Sequence, residues 1–425
     1  MQSLTVYDVA VVGGGVLGTC VSYWISSQYD ANVCVIEKEP DVAVHASSRN
    51  TGVVHSPFYL NPDTKGALAG AALESYPMWE GLARDAGVPW KKTGVLELAL
   101  DESQHQTLQK YMKWARKNGV NPGDIEILDQ RQVMRMEPNI RCHSAIHSSS
   151  EASADFGALT RAIKSESERL GTRFMFGSRV SGIRNGTISL DDGKVEARLI
   201  VNCAGGNSLD VAQMTSLASG YSDLHFRGEY WTADSPHDLL AGTTVYTVAE
   251  FAGYPFLDPH WIKRADGTTE VGPNAVPVPG PETYEGYVGD VAESLSKLKD
   301  VVTGSAKRLL ANPEFLSLVS KEWLSSLSKG AMIRRVQRFL PDVRPEFFTR
   351  RGTAGIRSPV ITPEGRFLED VMELEGDGSF HVINYNSPGA TGAPAYSAHL
   401  VRTLRDRGLL ECRESRRDSV WRLED

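Results

Sequence analysis

The stretch Val11-Val12-Gly13-Gly14-Gly15-Val16-Leu17-Gly18 spaces its glycines as G-x-G-x-x-G, directly after an apolar run and directly before a helix-like segment. In that setting each glycine has its own task. Gly13 makes the tight turn, Gly15 lets a pyrophosphate approach the backbone, and Gly18 lets helix and strand pack closely, while Val16 and Leu17 open the helix whose N–H groups meet the phosphates. The pattern calls for an acid about 20 positions on, at the end of the second strand, to take ribose hydroxyls. Glu37 stands there, closing Val33-Cys34-Val35-Ile36, with Lys38 beside it. Together these residues predict a dinucleotide site. Further along, Ser47, Ser48 and Asn50 follow the unit, Ala204-Gly205 follows a buried run, and Ser387-Pro388-Gly389-Ala390-Thr391 opens the last helix. Such a distribution suits FAD better than NAD. Its length needs phosphate contacts from the first turn, and a late helix N-terminus aims free N–H groups at the flavin edge where negative charge grows on reduction.

These residues need a scaffold. Residues 6–12, 16–29 and 33–37 read as strand, helix, strand. Residues 66–86 and 102–117 repeat apolar positions at helical spacing. Residues 187–190, the turn Asp191-Asp192-Gly193 and residues 194–202 read as a hairpin that returns the chain to the nucleotide-binding sheet. Short β-rich runs at 227–232, 243–248, 261–263 and 269–272, broken by Pro and Gly, predict an antiparallel sheet in a second domain. Helical segments at about 285–338, strands near 355–360 and 381–383, and a last helix at about 390–407 complete the chain. The expected class is α/β, or α+β overall, with a Rossmann-like FAD-binding domain interleaved with a substrate domain. The first would use residues 1–90, 151–220 and 341–425, the second residues 91–150 and 221–340.

Composition bounds the function. With 425 residues, 41% hydrophobic and 23% charged, the chain can bury two joined cores. Its 45 basic against 53 acidic residues, a net charge of -8, argue against nucleic acid as a partner. Five scattered cysteines without a CxxC suggest neither a disulfide framework nor a metal site, and fit a reducing compartment. No basic leader precedes the first strand and no apolar stretch of about 20 residues occurs, so a soluble, cytoplasmic protein is expected, with peripheral contact to an inner membrane as the alternative. From Val401 on, seven arginines and six acids read as a solvated tail on a packed helix.

More specific pieces occur in order: Asn50-Thr51-Gly52-Val53-Val54-His55, Phe226-Arg227-Gly228-Glu229-Tyr230, Tyr254-Pro255-Phe256-Leu257 with His260, Gly272-Pro273-Asn274-Ala275, Gly355-Ile356-Arg357, and Asn386 to Thr391. In this series the chain resembles the FAD-dependent oxidoreductases of the D-amino-acid-oxidase-like superfamily, and within it most resembles the L-2-hydroxyglutarate dehydrogenase/oxidase family, up to about Arg407. The resemblance implies FAD, with Val180 and Gly355 added to its contacts. It also implies oxidation of an L-2-hydroxy acid, L-2-hydroxyglutarate or a similar dicarboxylate, to the 2-oxo acid, with quinone or oxygen as electron acceptor. The chain departs from the family at Arg49-Asn50-Thr51-Gly52, at Leu257-Asp258-Pro259-His260 and after Tyr246, in segments expected to face flavin or substrate. The reaction type, rather than the substrate's name, is what the resemblance carries.

Oxidation at C2 of a hydroxy acid needs a hydride acceptor and a base for the hydroxyl proton. The flavin is the acceptor. Among ten histidines, His55 and His260 lie in family-like segments behind apolar residues and are the candidate bases, although buried histidines commonly serve only packing. Arg357 is the first choice for the substrate carboxylate, which a guanidinium can bind through two parallel hydrogen bonds. A distal carboxylate would need Arg49, Arg227, Lys65 or Tyr246, and Tyr59 and Tyr230 could donate further hydrogen bonds. The rival functions are oxidation of an amino acid or N-methyl amino acid, and a flavoprotein assembly factor without turnover.

Overall fold

The computed structural model describes residues 6–250, 254, 258–286, 307, 309, 312–415 and 417–421. Strand β1 (Val6–Val12), helix α1 (Val16–Gln28) and strand β2 (Val33–Ile36) form the opening crossover. β1 lies between two parallel neighbours, β2 and the long strand Gly193–Asn202, with Val9 opposite both Val33 and Leu199. The same sheet continues from β2 to Arg173–Met175 and from Gly193–Asn202 to Ser379–Ile383, with antiparallel strands added at its margins. Strands this continuously apolar are buried on both faces. Alternate residues go to opposite sides: Val9, Val11, Val33 and Val35 meet a helical core, whereas Ala10, Val12, Cys34 and Ile36 meet a second core with Ile188 and Val211. Helix α1 is buried all round apart from Gln28, because helices Phe156–Arg169 and Gly389–Asp406 pack against it.

The second large sheet takes its strands in the spatial order Phe348–Arg351, Trp231–Ala233, Thr269–Gly272, His260–Lys263, Thr244–Thr247, Val95–Ala99, Ser144–Ser148, Ile125–Asp129. Every pairing is antiparallel except that of Thr244–Thr247 with Val95–Ala99. Period-two alternation again divides its residues. Leu96, Leu98, Val245 and Trp261 pack with Met332, Ile333, Val336 and Phe339, leaving Glu97, Tyr246 and His260 on the opposite face. Two small sheets join the large ones. Val53–Val54 and Trp90–Lys92 both pair with Ala152–Ala154, and His225–Gly228 pairs with Val276–Val278 and Gly355–Arg357.

Several local expectations change. The run at 227–232 is two strands in different sheets, separated at Glu229-Tyr230. Phe348–Arg351, placed by sequence in the last FAD-domain segment, pairs with Trp231–Ala233 in the second sheet. Strands Ile125–Asp129 and Ser144–Ser148 and helix Phe156–Arg169 add to the elements expected from the sequence. The arginine-rich end is no free tail: Trp421 is buried among Tyr23, Trp24 and Trp79, and its indole N–H donates to the Met78 carbonyl. Its backbone is held as well, since Ser415 N–H donates to the Gln28 carbonyl and Arg417 N–H to that of Ser27. Of the helical stretch at 285–338, Pro313–Leu327 and Lys329–Val336 are helices, while much of the remainder, and Pro255-Phe256-Leu257, lie outside the described residues. Among the described residues no helix is long and apolar enough to cross a membrane.

Candidate active site

The glycine turn is a cradle that side chains would fill. Gly13 has φ +106°, and a Cβ there would come within 2.6 Å of the Cys203 carbonyl oxygen. A Cβ on Gly18 would run into the Gly13 carbonyl, and one on Gly15 would sit 3.1 Å from the Ser47 hydroxyl. That hydroxyl accepts a hydrogen bond from Val16 N–H at 2.9 Å, the place where a phosphate oxygen belongs at the entry to α1, next to Leu17. No acid stands in the first turn of α1. Glu37 accepts from the N–H groups of Gly14 and Glu39, at 2.6 and 2.9 Å. Ser178 N–H donates to the Glu37 carbonyl and brings the chain past β2 to Val180 at the start of its strand. Lys38 is ion-paired with Glu282. Asn50 fastens the loop after β2, donating to the Ala46 and Ser47 carbonyls and accepting from Gly52 N–H, while the Ser48 hydroxyl donates to the His45 carbonyl. Ala204 N–H is held by the Asn202 side chain, and Gly205 has φ +57°.

The late turn meets this region from the other end of the chain. Helix Gly389–Asp406 begins after Pro388, with no side-chain cap and no acid in its first turn. The Trp79 indole donates to the carbonyls of Ala390 and Thr391, and the Tyr385 hydroxyl to that of Gly389. Gly355 is packed so tightly that a Cβ would strike the Arg49 carbonyl. A glycine cradle and a second uncapped helix N-terminus, both built from chain segments remote in sequence, fit the demands of FAD.

Thr391 also ties the late helix to the reactive side chains, because its hydroxyl accepts from His55 N–H at 3.2 Å. His55 Nδ1 lies 3.3 Å from Glu151 Oε2, within ion-pair range but out of hydrogen-bond alignment. Glu151 is only 1% exposed, and burial pushes its carboxyl above the usual range, with His55 pulling it back. The His55 ring is 5.9 Å from that of Tyr59 and 6.1 Å from that of Tyr246, whose ring in turn meets His260 edge-on at 4.1 Å. The Tyr246 hydroxyl and both ring nitrogens of His260 are buried without a hydrogen-bond partner among the described residues. Burial, reinforced by the Arg357 and His55 charges, pushes His260 far below the ordinary histidine range and keeps it neutral. Burial likewise raises the hydroxyl pKa values of Tyr59 and Tyr230, against the field of Arg357.

His55, His260, Arg357, Tyr59, Tyr230 and Tyr246 converge, with Lys65, whose ammonium pKa burial lowers, near the Arg357 charge. Arg49 and Arg227 line a cavity with Tyr230, Glu229 and Tyr284, and each has partners of its own. Arg49 donates to the Val44 and Ala354 carbonyls and stacks over Tyr284 at 4.1 Å, and Arg227 is buried in an ion pair with Glu229 at 2.9 Å. Two carboxyls went unnoticed in the sequence. Glu151 stands in the polar run Ser149-Ser150-Glu151, which reads as loop, and the sole hint was its place directly before strand Ala152–Ala154. Glu97 sits in strand Val95–Ala99, where alternation puts it opposite the apolar core. Burial and Glu151 push its carboxyl up to about 8.

This fold and this site define a flavoprotein oxidoreductase: the chain belongs to the family described as FAD dependent oxidoreductase, whose model matches residues 8–403. Its cofactor is FAD. Within that class it is similar to the mitochondrial L-2-hydroxyglutarate dehydrogenase of Caenorhabditis elegans, with 29% identity over 92% of this chain and 91% of the other. The human mitochondrial L-2-hydroxyglutarate dehydrogenase is 26% identical over 95% of this chain and 90% of that one. Among solved structures, an FAD-bound L-alpha-glycerophosphate oxidase of Mycoplasma pneumoniae superposes with a TM-score of 0.75 at 19% identity, over 98% of this chain and 97% of the other. A glycine oxidase of Geobacillus kaustophilus gives 0.68, also at 19%, over 95% of each chain. These last two likenesses concern the fold.

Proposed function

We propose that the chain oxidises an L-2-hydroxy acid to its 2-oxo acid, with L-2-hydroxyglutarate as the first candidate substrate. The observation that carries this reading is the His55–Glu151 pair, held beside the start of the late helix by Thr391. A neutral amine needs no strong base, whereas an alcohol does, and a histidine with a buried carboxylate behind it supplies one. The C. elegans and human relatives, alike over nearly the whole chain, support the substrate class.

In this reading FAD, when bound, accepts the hydrogen and electron pair that leave C2. The protein residues do the rest. Glu151 faces Nδ1 of His55, which leaves Nε2 to take the hydroxyl proton, and the positive charge formed on the ring is balanced by the buried carboxylate. Arg357 clamps the substrate's C1 carboxylate through a bidentate pair. His260, kept neutral, and the hydroxyls of Tyr59 and Tyr246 orient the substrate without adding charge. Gly13, Gly15, Gly18, Glu37, Ser47 and Asn50 hold the adenine-bearing half of the cofactor, and Pro388 to Thr391 the flavin edge. The β1-centred sheet thereby serves as the cofactor domain and the second sheet as the substrate domain. Electrons pass on to quinone or oxygen, and the enzyme works in the cytoplasm, free or at the inner-membrane surface.

The test is anaerobic addition of 2-hydroxy acids and amino acids to the purified flavoprotein while following the visible flavin band. L-2-Hydroxyglutarate is expected to bleach it. Bleaching by amino acids alone, with every 2-hydroxy acid inert, would sink the proposal.

A further inference from the structure

Glu97 has no role in the chemistry above, yet it stands among the same side chains. It is the register partner of Tyr246 on the neighbouring parallel strand, so both side chains leave the same face of the sheet. Around it stand Glu151 before strand Ala152–Ala154, Tyr59 in the turn Pro57–Tyr59, Tyr111 on helix Glu102–Lys117 and Tyr246. His55 and His260 lie one ring further on, with Arg357 beyond. No described group makes a hydrogen bond to the Glu97 carboxyl, and the Tyr246 hydroxyl beside it, on a residue only 7% exposed, is equally unpartnered.

Glu97 keeps part of its surface accessible although side chains surround it, and the buried Tyr246 hydroxyl beside it carries a cost unless something else meets it. Several arginines of the described residues already have partners. Arg264 is taken by Glu270, Arg227 by Glu229, Arg335 by Asp258 and Glu322, and Arg49 by backbone carbonyls and Tyr284. If the site takes a 2-hydroxy acid, as read above, and Arg357 holds its C1 carboxylate, then Glu97 and Tyr246 are placed to meet the far end of the molecule as hydrogen-bond donors.

We propose that Glu97 is a specificity-determining residue that reads the far end of the substrate: protonated, it donates a hydrogen bond, together with the Tyr246 hydroxyl, to a distal carboxylate, and ionised, it repels one. Burial and the neighbouring Glu151 charge both favour the protonated form at neutral pH. The inference rests on the 2-hydroxy-acid reading and adds to it a pH-dependent choice between diacids and monoacids. A carboxylic acid kept neutral so that it can donate is known chemistry for such an environment.

The experiment measures binding, not turnover. Oxidised holoenzyme is titrated with 2-oxoglutarate and with 2-oxopentanoate, a monoacid of equal length, from pH 6 to 9, following the perturbation of the flavin spectrum. Protonation of Glu97 falls about tenfold one pH unit above its midpoint. The Kd of the diacid is therefore expected to rise roughly five- to tenfold between pH 7 and 9 in the native protein, while that of the monoacid moves less than about twofold. In Glu97→Gln, which still donates, the diacid Kd should be flat. Parallel pH curves for the two ligands in the native protein would overturn the proposal, and that arm needs no variant to fold. So would an unchanged diacid slope in Glu97→Gln. If neither oxo acid perturbs the flavin and no 2-hydroxy acid reduces it, the underlying functional reading has failed. Reduction by 2-hydroxy acids with parallel Kd curves means that the Glu97 assignment alone is wrong.

Discussion

His55 owes its place in the chemistry to a neighbour almost a hundred positions away. An imidazole alone is an ordinary base, but one whose Nδ1 faces a buried carboxylate is oriented and better able to hold a proton. Replacing His55 by Gln should therefore slow anaerobic flavin reduction by about 10²- to 10⁴-fold, the range for loss of a general base, while the flavin content of the purified protein stays unchanged. Glu151→Gln should slow the same step by about tenfold or more, since the ring keeps its position and loses the balancing charge. Stopped-flow reduction rates decide both, and a rate within twofold of the native protein in His55→Gln removes His55 as the base. Arg357→Lys trades a planar fork for a point charge. It should raise KM by about 10- to 100-fold, the size of a lost charge-assisted bond of roughly 1.5–3 kcal/mol, and affect kcat much less. His55 and Arg357 were legible as residue types in the right segments. Their division of labour with His260 was not, because whether a histidine has a carboxylate beside it is a property of the folded chain.

At the scale of elements, the opening crossover depends on two glycines, Gly13 and Gly18, that no other residue can replace without moving backbone. Gly18→Ala places a methyl group against the Gly13 carbonyl, so α1 must lift from β1 and the phosphate cradle opens. The expected result is loss of most of the bound flavin, read from the ratio of visible to protein absorbance, together with about 1–3 kcal/mol of stability. A second element-level joint is Arg335 on helix Lys329–Val336, which bridges Asp258 at 2.6 Å and Glu322 at 2.8 Å on two other segments. Burial alone would raise the Asp258 carboxyl, and Arg335 holds it below the usual range instead. Arg335→Met would strand the buried Glu322 carboxylate and the half-buried Asp258 one, and should cost about 3–5 kcal/mol in denaturant unfolding. A cost under about 1 kcal/mol would show that this joint does not hold the helix to the sheet. The crossover could be read from the chain because strand, turn and helix are contiguous and each follows local rules of period and turn chemistry. The Arg335 joint could not, since its three members are brought together by packing between segments.

For the whole molecule, Glu97 predicts how stability responds to pH. Its folded carboxyl titrates at about 8, against an ordinary value near 4.5, so between those limits the folded state binds more proton than the unfolded one. Stability from this group is complete at low pH, declines as pH rises through the window from about 4.5 to about 8, and is level above it. Glu97→Gln, a neutral isostere, should flatten that part of the curve, with its Tm gaining on the native protein by roughly 2–4 °C for each kcal/mol recovered between pH 5 and 9. Identical slopes for the two proteins would show that Glu97 ionises as freely folded as unfolded. The class of protein is legible along the chain, because the glycine turn, the acid after it, the late helix turn and the order of the motifs are local patterns. Which side chains stand together is settled by the fold. It paired His55 with Glu151, set Glu97 beside Tyr246, gave Arg49 and Arg227 partners of their own and drew Trp421 into the core, because burial and contact between distant segments exist only once the sheets have closed around them.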